Sequence, residues 1–446
     1  MNSRDESRLK QKQCHDRARD ISSHAPWKCE APLPGVELRW IPETPDAGEY
    51  LLRYDENGGG RSPDVHSQVW LGVKDSLMSI AREVTVSWFG ANSALLNRCT
   101  GGAEVLIIIG PCLRFITGEW TEEAFVMPHF NDQTRRFQFL ICVGLPQPLR
   151  TSAQEKRWLR SSLTHELEHV YQFICLNDTL LERSWRPMAE KCAVFAEVKR
   201  YSKQAAVLEY GADFLRCAPL GMTGRGGDRS LSPLPYWTFP FMEHLASVCP
   251  NIHREIWEQP GMRALPDQSD SRNPVLERGP WLVLDALLQT KNRTLRNEWI
   301  EFCKTLIKPV PDTSASLMTK RFGSRLPTLR LDLNTVQAGS VSNWEWRTWP
   351  LSVHWIHVAN PHGAEFNFSW VSCDFAGADI VVLAQPDDGE WRQVEINPLR
   401  LGTAKVWNIL LIDATVLDMT DLMRFGITIP NLVVQIARDN VGAAKS

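Results

Sequence analysis

No run of this sequence is both long and apolar enough to cross a bilayer: the longest, Val105 to Gly110, is short, whereas a spanning helix takes about 20 residues. The opening residues, MNSRDESRLKQKQCHDRARD, lack the apolar core of a secretory signal, so a cytoplasmic protein is expected. An excess of charge of either sign is also missing. Lysine plus arginine (49) nearly balances aspartate plus glutamate (52), for a formal net charge of −3. That balance gives no electrostatic reason to expect nucleic acid or an anionic membrane as partner. No basic stripe, nucleic-acid motif, CxxC pair or solenoid-period repeat is present. The 11 cysteines are odd in number and scattered from Cys14 to Cys373, a usage that suits reduced, buried thiols better than a disulfide framework. The glycine loops RGGD and NGGGR lack the helix-opening lysine of a phosphate cradle, which argues against a nucleotide loop.

With 446 residues, 43% of them hydrophobic, the chain can bury the cores of two or three domains. Residues 1–33 are charged and aperiodic and read as a mobile polar tail. VELRWI (36–41) alternates like a strand. Val69, Val73, Leu77, Ile80, Ala81 and Val84 fall at helical spacing, and AEVLIIIG (103–110) and RRFQFLICVG (135–144) read as buried strands. The predicted order is strand, helix, strand, loop, strand. A long helix follows over 151–176, opened by the capping-box pair Ser152 and Glu155. A second covers about 186–209, with Pro187 in its first turn. Residues 221–235 form a Gly/Ser/Pro loop, helical patterns return from Tyr236 to Leu306, and KPVPDTSAS (308–316) reads as a boundary. Beyond it the period becomes two, in short strands separated by Gly, Pro and Asp, which predicts a β-sandwich over 317–440.

LTHELEHVYQ (163–172) carries the chemistry. His165 and His169 stand four apart, one helical turn above each other on one face, and zinc takes imidazole ligands in that arrangement. Glu166 then lies beside the fourth coordination position, where it can take a proton from a water and later deliver it to a leaving group. Glu168 needs no catalytic role and reads as a solvated or orienting carboxylate. A catalytic zinc requires a third protein ligand, and SWRPMAEKCAVFAEVKRY (184–201) offers Glu190 and Glu197.

HELEH followed about twenty residues on by W-x-x-x-x-E-x-x-A-x-F-A resembles the gluzincin branch of the zinc metallopeptidases, which includes thermolysin-like, aminopeptidase-like and collagenase-like enzymes. The similarity is good over 160–245 and looser over 36–310. The resemblance implies that Glu190, the glutamate of the E-x-x-A segment, is the third ligand in preference to Glu197. It also implies that Tyr236 stabilises the developing oxyanion, with Tyr210 and His244 as alternatives. The thermolysin-like pattern places an aspartate four residues after the ligand glutamate to orient a histidine; Val194 stands there, which argues against that branch and leaves the partner of His165 unassigned.

The fold class so implied is α+β. A zincin-like catalytic domain would span 34–309, with a sheet-containing half (34–150) and a helical half (151–309), followed by the C-terminal β-sandwich. The function implied is a zinc-dependent metallohydrolase, a peptidase acting on peptide or protein substrates, with His165, His169 and Glu190 on the metal and Glu166 as general base. Two alternatives belong beside it: a non-proteolytic scaffold whose sandwich engages a partner, and a zinc hydrolase of non-peptide amides. His354 and His357 fall on opposite faces of a strand and read as structural.

Overall fold

The computed structural model describes residues 8–16, 28–40, 63–92, 94, 103–110, 124–144, 152–176, 185–201, 203, 206–207, 210–211, 235–259, 279–322, 328–332, 341–347, 351–360, 366–373, 379–387, 389–395, 399–401, 404–416 and 431–438. The fold is mixed α and β.

The first sheet is built around the apolar run. Strands β1 (Lys28–Leu33), β2 (Val36–Trp40), β3 (Ala103–Gly110), β4 (Ala124–Asn131) and β5 (Arg136–Gly144) lie in the order β1-β2-β3-β5-β4. β3 is parallel to both neighbours, β2 and β5. Val105 to Ile109 are buried along their whole length, as a parallel strand covered on both faces requires. A long helix over Pro63–Ala91 connects β2 to β3 and buries Leu77, Ile80, Ala81, Val84 and Trp88 at the predicted spacing; the side chains of Val69 and Val73 lie outside the described residues. At the β1–β2 turn Gly35 takes φ +77°, and a Cβ there would sit 3.0 Å from the carbonyl of Ala103. Its own carbonyl accepts from the Val105 amide at 2.8 Å, so the turn is tied directly to the central strand.

Two findings differ from the sequence reading. The polar stretch 1–33 contains structure: residues 8–16 form a helix, α1, and β1 pairs antiparallel with β2. The loop expected between the second and third strands contains β4, which pairs antiparallel with β5 through a turn closed by Asn131 Oδ1, an acceptor for the amides of Gln133 and Thr134. Pro128 disguises this strand, since proline is tolerated only where a ladder bond can be missing. β5 is therefore interior, and β4 and β1 are the edge strands.

With the Pro63–Ala91 helix numbered α2, the helix carrying HELEH is α3 (Ser152–Leu176) and the next is α4 (Arg186–Arg200). The side chains of Ser152 and Glu155 lie outside the described residues. α3 packs against α2, β4 and β5. Its first turns keep exposed or half-exposed positions, but from Leu163 to Gln172 every residue is buried, polar ones included.

Later in the chain come α5 (Phe239–Val248), α6 (Ile252–Glu255), α7 (Pro280–Gln289), α8 (Leu295–Ile307) and α9 (Ser314–Phe322). Phe241, Trp299 and Phe302 form an edge-to-face and tilted cluster between α5 and α8. The region beyond α9 forms two sheets: one runs in the order β11 (Arg392–Val394), β10 (Ile380–Pro386), β13 (Val406–Asp413), β8 (Ser352–Ala359), β6 (Thr328–Asp332), the other β12 (Leu399–Leu401), β9 (Phe366–Cys373), β14 (Asn431–Arg438), β7 (Val341–Arg347), and the chain passes between them repeatedly. Trp299 Nε1 donates to the carbonyl of Asp413 at the end of β13 (Val406–Asp413), and Arg296 pairs with Asp379, so α8 is bonded to this β region. By compactness the chain divides into 1–183 with 192–202 and 260–273, and 184–191 with 203–259 and 274–446. The residues between 221 and 234, read as a loop, lie outside the described residues. In β8 (Ser352–Ala359) His354 is held neutral by burial, with its pKa lowered to about 4. His357 bonds Asn408 of β13 at 3.0 Å.

Candidate metal centre

His165 and His169 project from the part of α3 that is buried all round, at 7% and 9% exposure. Their rings lie 4.7 Å apart between centroids, nearly perpendicular at 78°. The Nδ1 of each ring is committed to an acceptor. His165 Nδ1 donates to Glu197 Oε1 at 2.7 Å, and His169 Nδ1 donates to Gln172 Oε1 at 2.8 Å. Hydrogen bonds of this kind set the tautomer and make Nε2 the atom each ring offers to a metal.

Glu190 completes the group. One ligand atom each from His165, His169 and Glu190 lie within 4.8 Å of one another, and all three residues are buried. The local reason is helical register. Glu190 and Glu197 are seven apart on α4, two turns along one face, so one carboxylate meets the imidazoles while the other reaches behind His165. Glu197 thereby supplies the orienting contact that Val194 does not. The signal for it was present in the sequence, as a glutamate on the same face as Glu190.

The donor set fits a divalent cation. Glu166, Glu168, Glu190 and Glu197 are all buried, at 6%, 0%, 7% and 7% exposure, and among the described residues of α3 and α4 the buried lysine is Lys191. Buried carboxylates in this number need positive charge close by. The exposed Arg186, 3.8 Å from Glu190, contributes some of it, while the buried Lys191 lies over the Trp281 ring at 4.0 Å from its centroid. A dication between two imidazoles and a carboxylate would offset the remainder. Glu168 is fully buried, which removes the reading of it as a solvated carboxylate.

Glu166 stands next to His165 on the same buried stretch. Its surroundings show in Cys142 of β5, whose thiol pKa is pushed well above the ordinary range first by burial, then by Cys14 and by the Glu166 carboxylate. Tyr236 lies in a 3₁₀ turn over Pro235–Thr238, half-buried, with its ring 5.5 Å from that of Tyr210. His244 is engaged elsewhere: it packs on Phe241 and Phe302 and its Nε2 meets Glu298 Oε2 at 3.1 Å. Burial lowers its pKa against the opposing pull of Glu298, so the neutral ring donates that bond. Models of protein families were compared with the sequence and none matches, nor does any curated protein.

Proposed function

We propose that the chain is a zinc-dependent metallopeptidase of the gluzincin type, with a zincin-like catalytic domain followed by a β-sandwich. The observation that carries this reading is the convergence of His165, His169 and Glu190 within 4.8 Å, two of them from a His-Glu-x-x-His string on one helix. Two imidazoles and one carboxylate suit zinc, which takes three protein ligands in catalytic sites. Bound there, zinc supplies a Lewis acid and makes water a competent nucleophile near neutral pH.

Each protein group then has a task. Glu197 and Gln172 hold the two rings in the tautomer that ligation needs. Glu166 accepts a proton from the attacking water and returns it to the leaving amine, for which a buried carboxylate next to a ligand is well placed. Tyr236 donates a hydrogen bond to the oxygen that becomes negative in the tetrahedral intermediate. An extended substrate would add to the sheet along an edge, and of the two edge strands β4 is the one against which α3 packs.

A peptide-library digest tests the reading. The zinc-loaded chain is expected to cut internal or terminal peptide bonds with a reproducible preference, and chelation should abolish cleavage. A zinc-loaded, folded chain that cuts no member of the library would refute the peptidase assignment. Tyr236→Phe should lower kcat by about 10²-fold with little change in KM or zinc content; wild-type turnover would return Tyr236 to a packing role against Tyr210.

A further inference from the structure

Helix α1 is mostly exposed, but Cys14 and His15 near its end are buried at 7% and 2% exposure. His15 Nε2 donates to the carbonyl of Met127 at 2.8 Å. Its ring also lies 5.4 Å from that of His129. Both partners belong to β4, an edge strand of the first sheet. Cys14, the preceding residue, acts on the same Cys142 thiol of β5 as the Glu166 carboxylate does, so the helix seats on the β4–β5 side of the sheet, near the general base. An open edge strand offers its backbone to an incoming strand; here part of that backbone is already engaged.

We propose that α1 is a displaceable brake, seated through His15 on Met127 so that it competes with an extended peptide for the edge strand β4. The inference rests on the peptidase reading above. A helix this short has little stability of its own, since isolated helices below about 12 residues are marginal in water. Its position therefore depends on contacts with the rest of the fold, the buried Cys14 and His15 and the bond to Met127 among them, and a substrate with strong backbone pairing can take its place. Cleavage ahead of β1, or a partner that binds α1, would release the edge without altering any group at the metal centre.

The test uses the full, zinc-loaded chain, His15→Ala, and Cys14→Asp, which puts a carboxylate into the buried seat. Two quantities are measured in each: amide hydrogen exchange over 124–131, and hydrolysis of a fully unfolded protein such as reduced casein. His15→Ala should raise both about fivefold, the worth of one neutral hydrogen bond, and Cys14→Asp should raise them further. His15→Gln, which keeps an N–H donor, should stay near wild type. Hydrolysis that is measurable but equal in wild type and both releasing variants overturns the brake and leaves the peptidase reading intact, as does unchanged exchange over β4. No hydrolysis by any of the folded, zinc-loaded proteins overturns both.

Discussion

Glu166→Gln should lower turnover by about 10³-fold or more, within the range ascribed to general acid–base catalysis, while zinc content and thermal unfolding stay at wild-type values. The side chain is 6% exposed on a helix whose neighbours are all buried, so an isosteric amide fills the same space and meets the same packing. What it loses is the capacity to take up a proton. Because that capacity is used only as the reaction proceeds, kcat and kcat/KM should fall together with KM little changed. Metal content measured on the same preparation separates this outcome from loss of the site. A variant with full zinc and more than a tenth of wild-type turnover would show that another group is the base.

His169→Ala should abolish stoichiometric zinc binding, and Glu197→Ala should not. The first substitution removes a ligand atom and leaves a two-residue set. The second removes the acceptor 2.7 Å from His165 Nδ1 and leaves all three ligands in place. Losing a group that only orients a ligand costs about 10–100-fold in metal affinity, so Glu197→Ala should still carry zinc at saturating metal but release it faster to a chelator. Glu190→Ala belongs with His169→Ala. If Glu197→Ala empties the site and Glu190→Ala keeps it, the roles of the two glutamates are reversed.

The parts of this molecule that were legible in the sequence are those written in a short-range period. The βαβ order of the first sheet and the α3 helix appear because apolar residues recur at two or at three to four along a continuous stretch. HELEH was legible for the same reason, since both histidines lie one turn apart on one helix. What could not be read depends on how separate elements register. The partner of His165 is set by where α4 lies along α3, and no spacing within either segment encodes that. β4 was hidden by Pro128 and by the histidine beside it, which break the usual look of a strand. The seating of α1 involves Cys14 and His15, buried residues in a stretch whose composition is that of a solvated tail.

The continuous burial of Leu163 to Gln172 has a consequence for how freely this gene can vary. On a helix with a solvent face, tolerance to substitution rises and falls every three to four residues, because one side has nothing to clash with. α3 has that relief in its first turns and loses it before His165. A saturation scan should therefore show a periodic profile up to about position 162 and then an unbroken block of intolerance ten residues wide, in which Leu167 is constrained by volume and Glu168 by charge as firmly as His165 and His169 are by their place in the candidate metal site. Sequence drift in this stretch would be rare even without any demand for metal or reaction, because packing alone keeps most of it.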